Sequence, residues 1–146
     1  MTKANSQFSK ADHAFMKMAL DLSRRGLGKT SPNPSVGCVI VKNDHIIGRG
    51  WTSDGGRPHG EINALSQAKN VNGATVYVTL EPCAHHGNTP PCAEALVSAG
   101  ISKVIIATGD PDSRVSGKGV DILKNAGIEV SEGLLKEEAE LINQGF

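Results

Sequence analysis

Four residues of this chain have the types and spacing to build a hydrolytic centre. His59 and Glu61 stand either side of one glycine in RPHGEINAL, and Cys83 and Cys92 lie within EPCAHHGNTPPC. One histidine with two cysteines is a recognised ligand set for a catalytic zinc, which keeps its fourth position open for water. Glu61 is then left free. A free carboxylate beside that water can take its proton and hand it to a leaving group, whereas a fourth protein ligand would close the site. Zinc lowers the pKa of such a water to roughly 7, so the chemistry expected is hydrolysis at neutral pH, with water as the nucleophile.

Several elements must bring these four side chains together. PHGE opens one helix, whose Ile62, Leu65 and Ala68 should face inward, and TPPC opens another, with Thr89 as a cap and Pro90 or Pro91 in its first turn. Two helix N-termini converging on a metal would favour thiolate and hydroxide. Cys83 follows Pro82 at the end of the strand ATVYVTL, the usual place for ligand sites in α/β proteins. Upstream, Ser9 and Asp12 cap an amphipathic helix carrying Phe15, Met18 and Leu22, which ends at Arg24, Arg25 and Gly26. VGCVIVK and HIIGRGW are strands joined at Asn43 and Asp44 as a hairpin. Downstream, KVIIAT, VDILKNAG, IEVSE and a helix around Leu134 to Ile142 alternate strand and helix, and the helical crossover makes the last two strands parallel. The fold class expected is α/β, a three-layer α/β/α domain around a mixed five-stranded sheet.

Composition narrows the function. A chain of 146 residues suits one domain. Its 15 basic and 15 acidic residues cancel, and with only five aromatics it lacks the footprint of a nucleic-acid binder. No run approaches the roughly 20 apolar residues of a membrane span, and the N-terminus lacks the apolar core of a signal peptide, so a cytoplasmic location is expected. Three cysteines, an odd number, argue against a disulfide framework.

His-x-Glu with Pro-Cys-x-x-Cys is the established signature of zinc nucleobase deaminases. Here eight residues rather than two separate the cysteines. With SPNPSVGCVIV, GGRPHGEINAL, TLEPCAHHGNTPPC and DPDSRVSGKGVDIL in order, the chain resembles the deaminase domain of the bacterial bifunctional riboflavin-biosynthesis protein, within the cytidine-deaminase-like superfamily. The long H-x-G-x-T-P-P loop is the most specific match.

The resemblance implies hydrolytic deamination of 2,5-diamino-6-(5-phosphoribosylamino)pyrimidin-4(3H)-one to the corresponding 5-aminouracil and ammonia. By analogy His59, Cys83 and Cys92 hold one zinc per chain and Glu61 shuttles protons. Asn33 bonds the pyrimidine, His85 lines the pocket, and the backbone around Ala84 orients the attacked carbon. The resemblance also implies a homodimer or homotetramer acting on a small molecule, with neither nucleic acid nor membrane as partner. Gly60 replaces the family's alanine, at about 1 kcal/mol of helix propensity. Thr52 and Asn88 stand where relatives often carry His and Lys or Arg, so the phosphate contacts at those positions are expected to draw charge from Arg57, Arg114 or Lys118. The family's reductase domain would begin near LINQGF, so a single deaminase domain over 1–146 without reductase activity is expected. The alternatives are a nucleobase or tRNA adenosine deaminase of the same fold, or a non-catalytic zinc module.

Other chemistry-bearing residues take plainer readings. Cys38, inside an apolar strand, reads as core. His13 and His45 read as surface positions, and His86 as a loop residue. The glycines around Lys118 lack the P-loop spacing, GRGW lacks the dinucleotide pattern, and the aspartates of GDPD read as turn chemistry.

Overall fold

The computed structural model describes residues 7–30, 33–85, 90–110 and 116–144. Helix α1 (Lys10–Arg24) starts in a capping box. The Ser9 hydroxyl accepts from the Asp12 N–H at 3.0 Å, and the Asp12 carboxylate accepts from the Ser9 N–H at 3.0 Å. Strands β1 (Gly37–Lys42) and β2 (His45–Trp51) form the expected hairpin. Asn43 and Asp44 both take positive φ, 52° and 64°, as a two-residue turn matched to strand twist requires.

The remaining elements are α2 (Gly60–Gln67), β3 (Thr75–Leu80), α3 (Cys92–Ser98), β4 (Lys103–Thr108), α4 (Lys118–Asn125), β5 (Glu129–Glu132) and α5 (Lys136–Ile142), with a 3-10 turn at Asp54–Gly56 before α2. The five strands run in the order β2-β1-β3-β4-β5. β1 is antiparallel to both of its neighbours, and β3, β4 and β5 are mutually parallel. Helical crossovers link β3 to β4 and β4 to β5, which accounts for the parallel half.

Residue alternation along the strands divides the core between the two faces. Cys38, Ile40, Val76, Val78, Val104 and Ile106 meet α2, α3 and α4 on one face. Val39, Val41, Tyr77, Ile105 and Ala107 meet α1 and α5 on the other. Cys38 is fully buried within the first cluster.

One expectation is corrected. The buried face of α2 is Gly60, Glu61 and Ala64; Leu65 packs partly buried against the core and Ala68 faces Gly48, as expected, whereas Ile62 borders a cavity. The cause is a glycine seam on β2. A Cβ on Gly48 or Gly50 would lie 2.6 Å from the Ala64 backbone, so the helix rests on the sheet by its smallest side. Gly60 has the same role, because a Cβ there would stand 2.4 Å from the Val36 carbonyl oxygen. Its glycine therefore does more than lower helix propensity.

Gly37 marks an equally close contact of α1 with β1, its Cβ position falling 1.8 Å from the Ala19 carbonyl oxygen. Gly37→Ala is expected to cost about 1–3 kcal/mol in urea unfolding, as overpacking does. Gly109→Ala, with no neighbour nearer than 3.6 Å, should cost much less. Equal losses would contradict the close approach.

Candidate functional site

The four residues singled out by type and spacing meet at the carboxyl end of β3. His59 is the N-cap of α2, with extended backbone (φ −69°, ψ 162°) and no capping bond from its side chain, which leaves the imidazole available. Cys92 is the first residue of α3, and the N-cap position is Pro91. Pro90 thus precedes the helix, and Thr89 lies outside the described residues. Cys83 follows β3 by three positions.

His59 Nδ1 lies 3.4 Å from Cys92 Sγ and 3.8 Å from Cys83 Sγ, and the Cys92 N–H donates to Cys83 Sγ at 3.1 Å. One donor atom from each of the three lies within 4.8 Å of the others, the only such group among the described residues. Glu61 sits beside them, 3% exposed, and its Oε1 has no hydrogen-bond partner. Buried polar atoms are nearly always paired, so an orphan carboxylate oxygen at this point signals a missing ligand.

The electrostatics point the same way. The Cys83 thiol is held down at about 4, first by the hydrogen bond from Cys92 and then by that to His59. Cys92 is pushed up, because it surrenders that hydrogen bond to Cys83 and is buried next to Glu61. Burial pushes the Glu61 carboxyl up to about 7, reinforced by the Cys83 charge. The His59 imidazolium is favoured by its hydrogen bond to Cys83. Two thiols and a carboxyl thus compete to ionise around one imidazole, a group short of positive charge. A dication would resolve that competition. One nitrogen and two sulfur donors suit zinc. The residues present therefore fit the metal.

A cavity of about 820 Å³ opens from this point, lined by His59, Cys83 and Cys92 together with Arg57, Ile62 and His85. Of the residues expected to bind substrate, Arg57 and His85 are thus brought to the site. Asn33, Thr52, Ala84 and Lys118 do not line this cavity. Asn33 donates from its side chain to the Gly56 carbonyl at 3.0 Å. Thr52 is fully buried, and its hydroxyl accepts from the Val36 N–H at 2.9 Å. It is a strut beneath the loop that carries Asn33, with no surface to offer a ligand here. Ala84 is half-buried beside Cys83, and Lys118 is exposed at the start of α4. Asn88 and Arg114 lie outside the described residues.

Two features escaped the sequence reading. Asn143 exchanges hydrogen bonds with the Ser35 backbone, each at 3.3 Å, and so ties the segment after α5 to the Asn33 loop. Glu81, 6% exposed, receives three backbone N–H groups from residues 29–39 positions away. Its only local signal is an acidic residue directly after an apolar strand.

A profile of the cytidine and deoxycytidylate deaminase zinc-binding region matches residues 9–108. The chain is 55% identical over 141 residues to the riboflavin biosynthesis protein RibD of Haemophilus influenzae, covering 96% of this chain and 38% of that protein. It is 51% identical over 136 residues to the diaminohydroxyphosphoribosylamino-pyrimidine deaminase of Buchnera aphidicola from Acyrthosiphon pisum, covering 92% of each. Among solved structures, Acinetobacter baumannii RibD superposes with a TM-score of 0.90 at 57% identity, over 94% of this chain and 39% of that one. The chain therefore spans little more than a third of the RibD proteins it matches.

The three thiols should differ sharply in reactivity. In metal-free protein at pH 7, iodoacetamide followed by peptide mass spectrometry is expected to label Cys83 first, as a half-exposed thiolate, and Cys38 last, as a fully buried thiol. Zinc should protect Cys83. Equal labelling of Cys83 and Cys92 would contradict the hydrogen-bond pattern at the site.

Proposed function

We propose, from the premise that this chain belongs to the cytidine and deoxycytidylate deaminase zinc-binding family, that it is a deaminase of riboflavin biosynthesis. In this reading it removes the ring amine at C2 of 2,5-diamino-6-(5-phosphoribosylamino)pyrimidin-4(3H)-one, giving 5-amino-6-(5-phosphoribosylamino)uracil and ammonia. The observation that carries it is the buried, unpartnered Glu61 oxygen beside a three-donor group of His59, Cys83 and Cys92. A structural site would use a fourth protein ligand, whereas this arrangement leaves a carboxylate idle at the point of attack. The identity to the Buchnera deaminase across nearly its whole length supports the choice of substrate.

His59, Cys83 and Cys92 would hold one zinc, which when bound supplies Lewis acidity and hydroxide at neutral pH. The chain's own residues do the rest. Glu61 is buried beside the three donors with one oxygen unpaired, so its carboxylate can both accept a proton and return it at the reacting atoms. Its Oε1 takes the proton of the attacking water and returns it to the ring nitrogen next to C2. The other proton of that water passes to the departing amine, so that the carbon–nitrogen bond is exchanged for a carbonyl and ammonia leaves. The Cys92 N–H holds the Cys83 sulfur in place throughout.

His85 and Arg57 line the cavity together with the three donor residues. Arg57 is exposed there, and of the two described cations considered for the phosphate, Arg57 and Lys118, it is the one that borders the cavity. Asn33 and the Ala84 backbone are assigned to the pyrimidine by family analogy. Family membership, rather than any surface feature, supports a cytoplasmic homodimer or homotetramer. None of the described helices is long and apolar enough to cross a membrane.

The test is ammonia release by the zinc-loaded chain from the phosphoribosylamino-diaminopyrimidine, with cytidine and guanine as controls. Turnover on the first alone is expected. Glu61→Gln should keep the metal and lose about 10²–10⁴ in kcat, the usual worth of general acid–base catalysis. Undiminished turnover would remove Glu61 from the chemistry. Arg57→Ala is expected to raise KM about tenfold, equivalent to about 1.4 kcal/mol, with kcat little changed. An unaltered KM would mean that another group holds the phosphate.

A further inference from the structure

Glu81 stands two residues before Cys83, is 6% exposed, and does not line the cavity. Its Oε1 accepts the N–H of Gly117 at 3.0 Å and of Asp110 at 3.3 Å, and its Oε2 accepts that of Val120 at 3.2 Å. Its own N–H donates to the Thr108 carbonyl at 3.0 Å. One side chain therefore joins the ends of β3 and β4 to the first turn of α4. That turn has no cap of its own, because its N-cap residue is Gly117 at φ 88°. Glu81 supplies the missing acceptor from another element, with the charge sign that a helix N-terminus favours.

The same turn presses on the residue between Glu81 and Cys83. A Cβ on Gly119 would lie 2.0 Å from the Pro82 carbonyl oxygen. On the far side of this contact, the Cys83 carbonyl accepts from the Ala93 N–H at 3.1 Å and Cys83 Sγ accepts from the Cys92 N–H at 3.1 Å. Cys83 is thus clamped between α4, reached through Pro82 and Glu81, and α3. Only the α3 half of this clamp consists of direct contacts to Cys83.

We propose that Glu81 is a positioning residue for the metal centre, its carboxylate locking α4 against Pro82 so that Cys83 Sγ is held at ligand distance from His59 and Cys92. The inference rests on the zinc reading above. Charge-assisted bonds from three amides make this joint stiff. An amide in place of the carboxylate offers one oxygen and turns an NH₂ toward other N–H donors. Groups that orient metal ligands in this way typically change metal affinity 10–100-fold when altered.

The experiment measures zinc affinity by competition with a chromophoric chelator, and the thiolate-to-metal charge-transfer band of the cobalt form, in the wild-type chain, Glu81→Gln and Glu81→Asp. Circular dichroism and urea unfolding of the metal-free proteins are run alongside. Glu81→Gln is expected to remain folded, bind zinc 10–100-fold more weakly and shift the cobalt band, with Glu81→Asp recovering part of the loss. A folded Glu81→Gln that is less stable but binds zinc within twofold of wild type would overturn the proposal, leaving Glu81 a helix cap only. If that variant does not fold, amide hydrogen exchange of the wild type decides. Zinc loading should slow exchange at Gly117 and Val120, and unchanged exchange there would overturn the proposal. A wild-type chain that binds no zinc would overturn the metal site itself, and this role with it.

Discussion

Two helices on one face of the sheet have to begin at the same point, and most of the local architecture follows from that demand. His59 must be the last residue before α2 and Cys92 the first residue of α3, with Cys83 arriving between them from β3. Such convergence requires backbones nearer than ordinary side chains permit. Glycines stand at the contacts: Gly48 and Gly50 under α2, Gly60 against Val36, and Gly119 against Pro82. Each is space withheld from a Cβ so that donor atoms can come together a few ångströms away. Once they meet, two thiols, an imidazole and a buried carboxyl share a volume that cannot hold all their charges without a cation. The result is a pair of unlike cysteines and a carboxyl that titrates near neutrality.

The sheet keeps this crowded corner rigid. Its parallel half places the carboxyl ends of β3 and β4 side by side, and the α4 turn closes over them through Glu81. Its antiparallel half carries the Asn33 loop, which is supported by the buried Thr52 hydroxyl and by Asn143. The metal group is therefore attached to regular elements, and only the cavity's outer rim, with Arg57 and His85, is exposed.

Much of this was legible in the sequence where the signal is local. Ser9 with Asp12 marked a helix start, Asn43 with Asp44 a two-residue turn, and alternating apolar residues the strands. The grouping of the site was legible too, because a histidine and a glutamate at one helix start, a cysteine at another and a cysteine after a strand have few uses in common. Long-range features were not. Glu81 bonds to amides 29–39 residues ahead, so EPC alone gave no reason to look there. On α2, hydrophobic spacing points inward for Leu65, which packs on the core, but also for Ile62, which borders the cavity, because glycines on a neighbouring strand decide which side can approach. Thr52 was read as a substrate position from its place in a motif, and burial turned it into a support.

The proposed zinc site is open, with Glu61 outside its ligand set. Zinc-edge X-ray absorption on the loaded chain tests it most directly, read together with the metal-to-protein ratio. One zinc per chain is expected, with two sulfur neighbours at about 2.3 Å, nitrogen at about 2.0–2.1 Å and a shell that Glu61→Gln leaves unchanged. A shell that changes with Glu61→Gln would make the glutamate a fourth protein ligand, and the site would be closed rather than open.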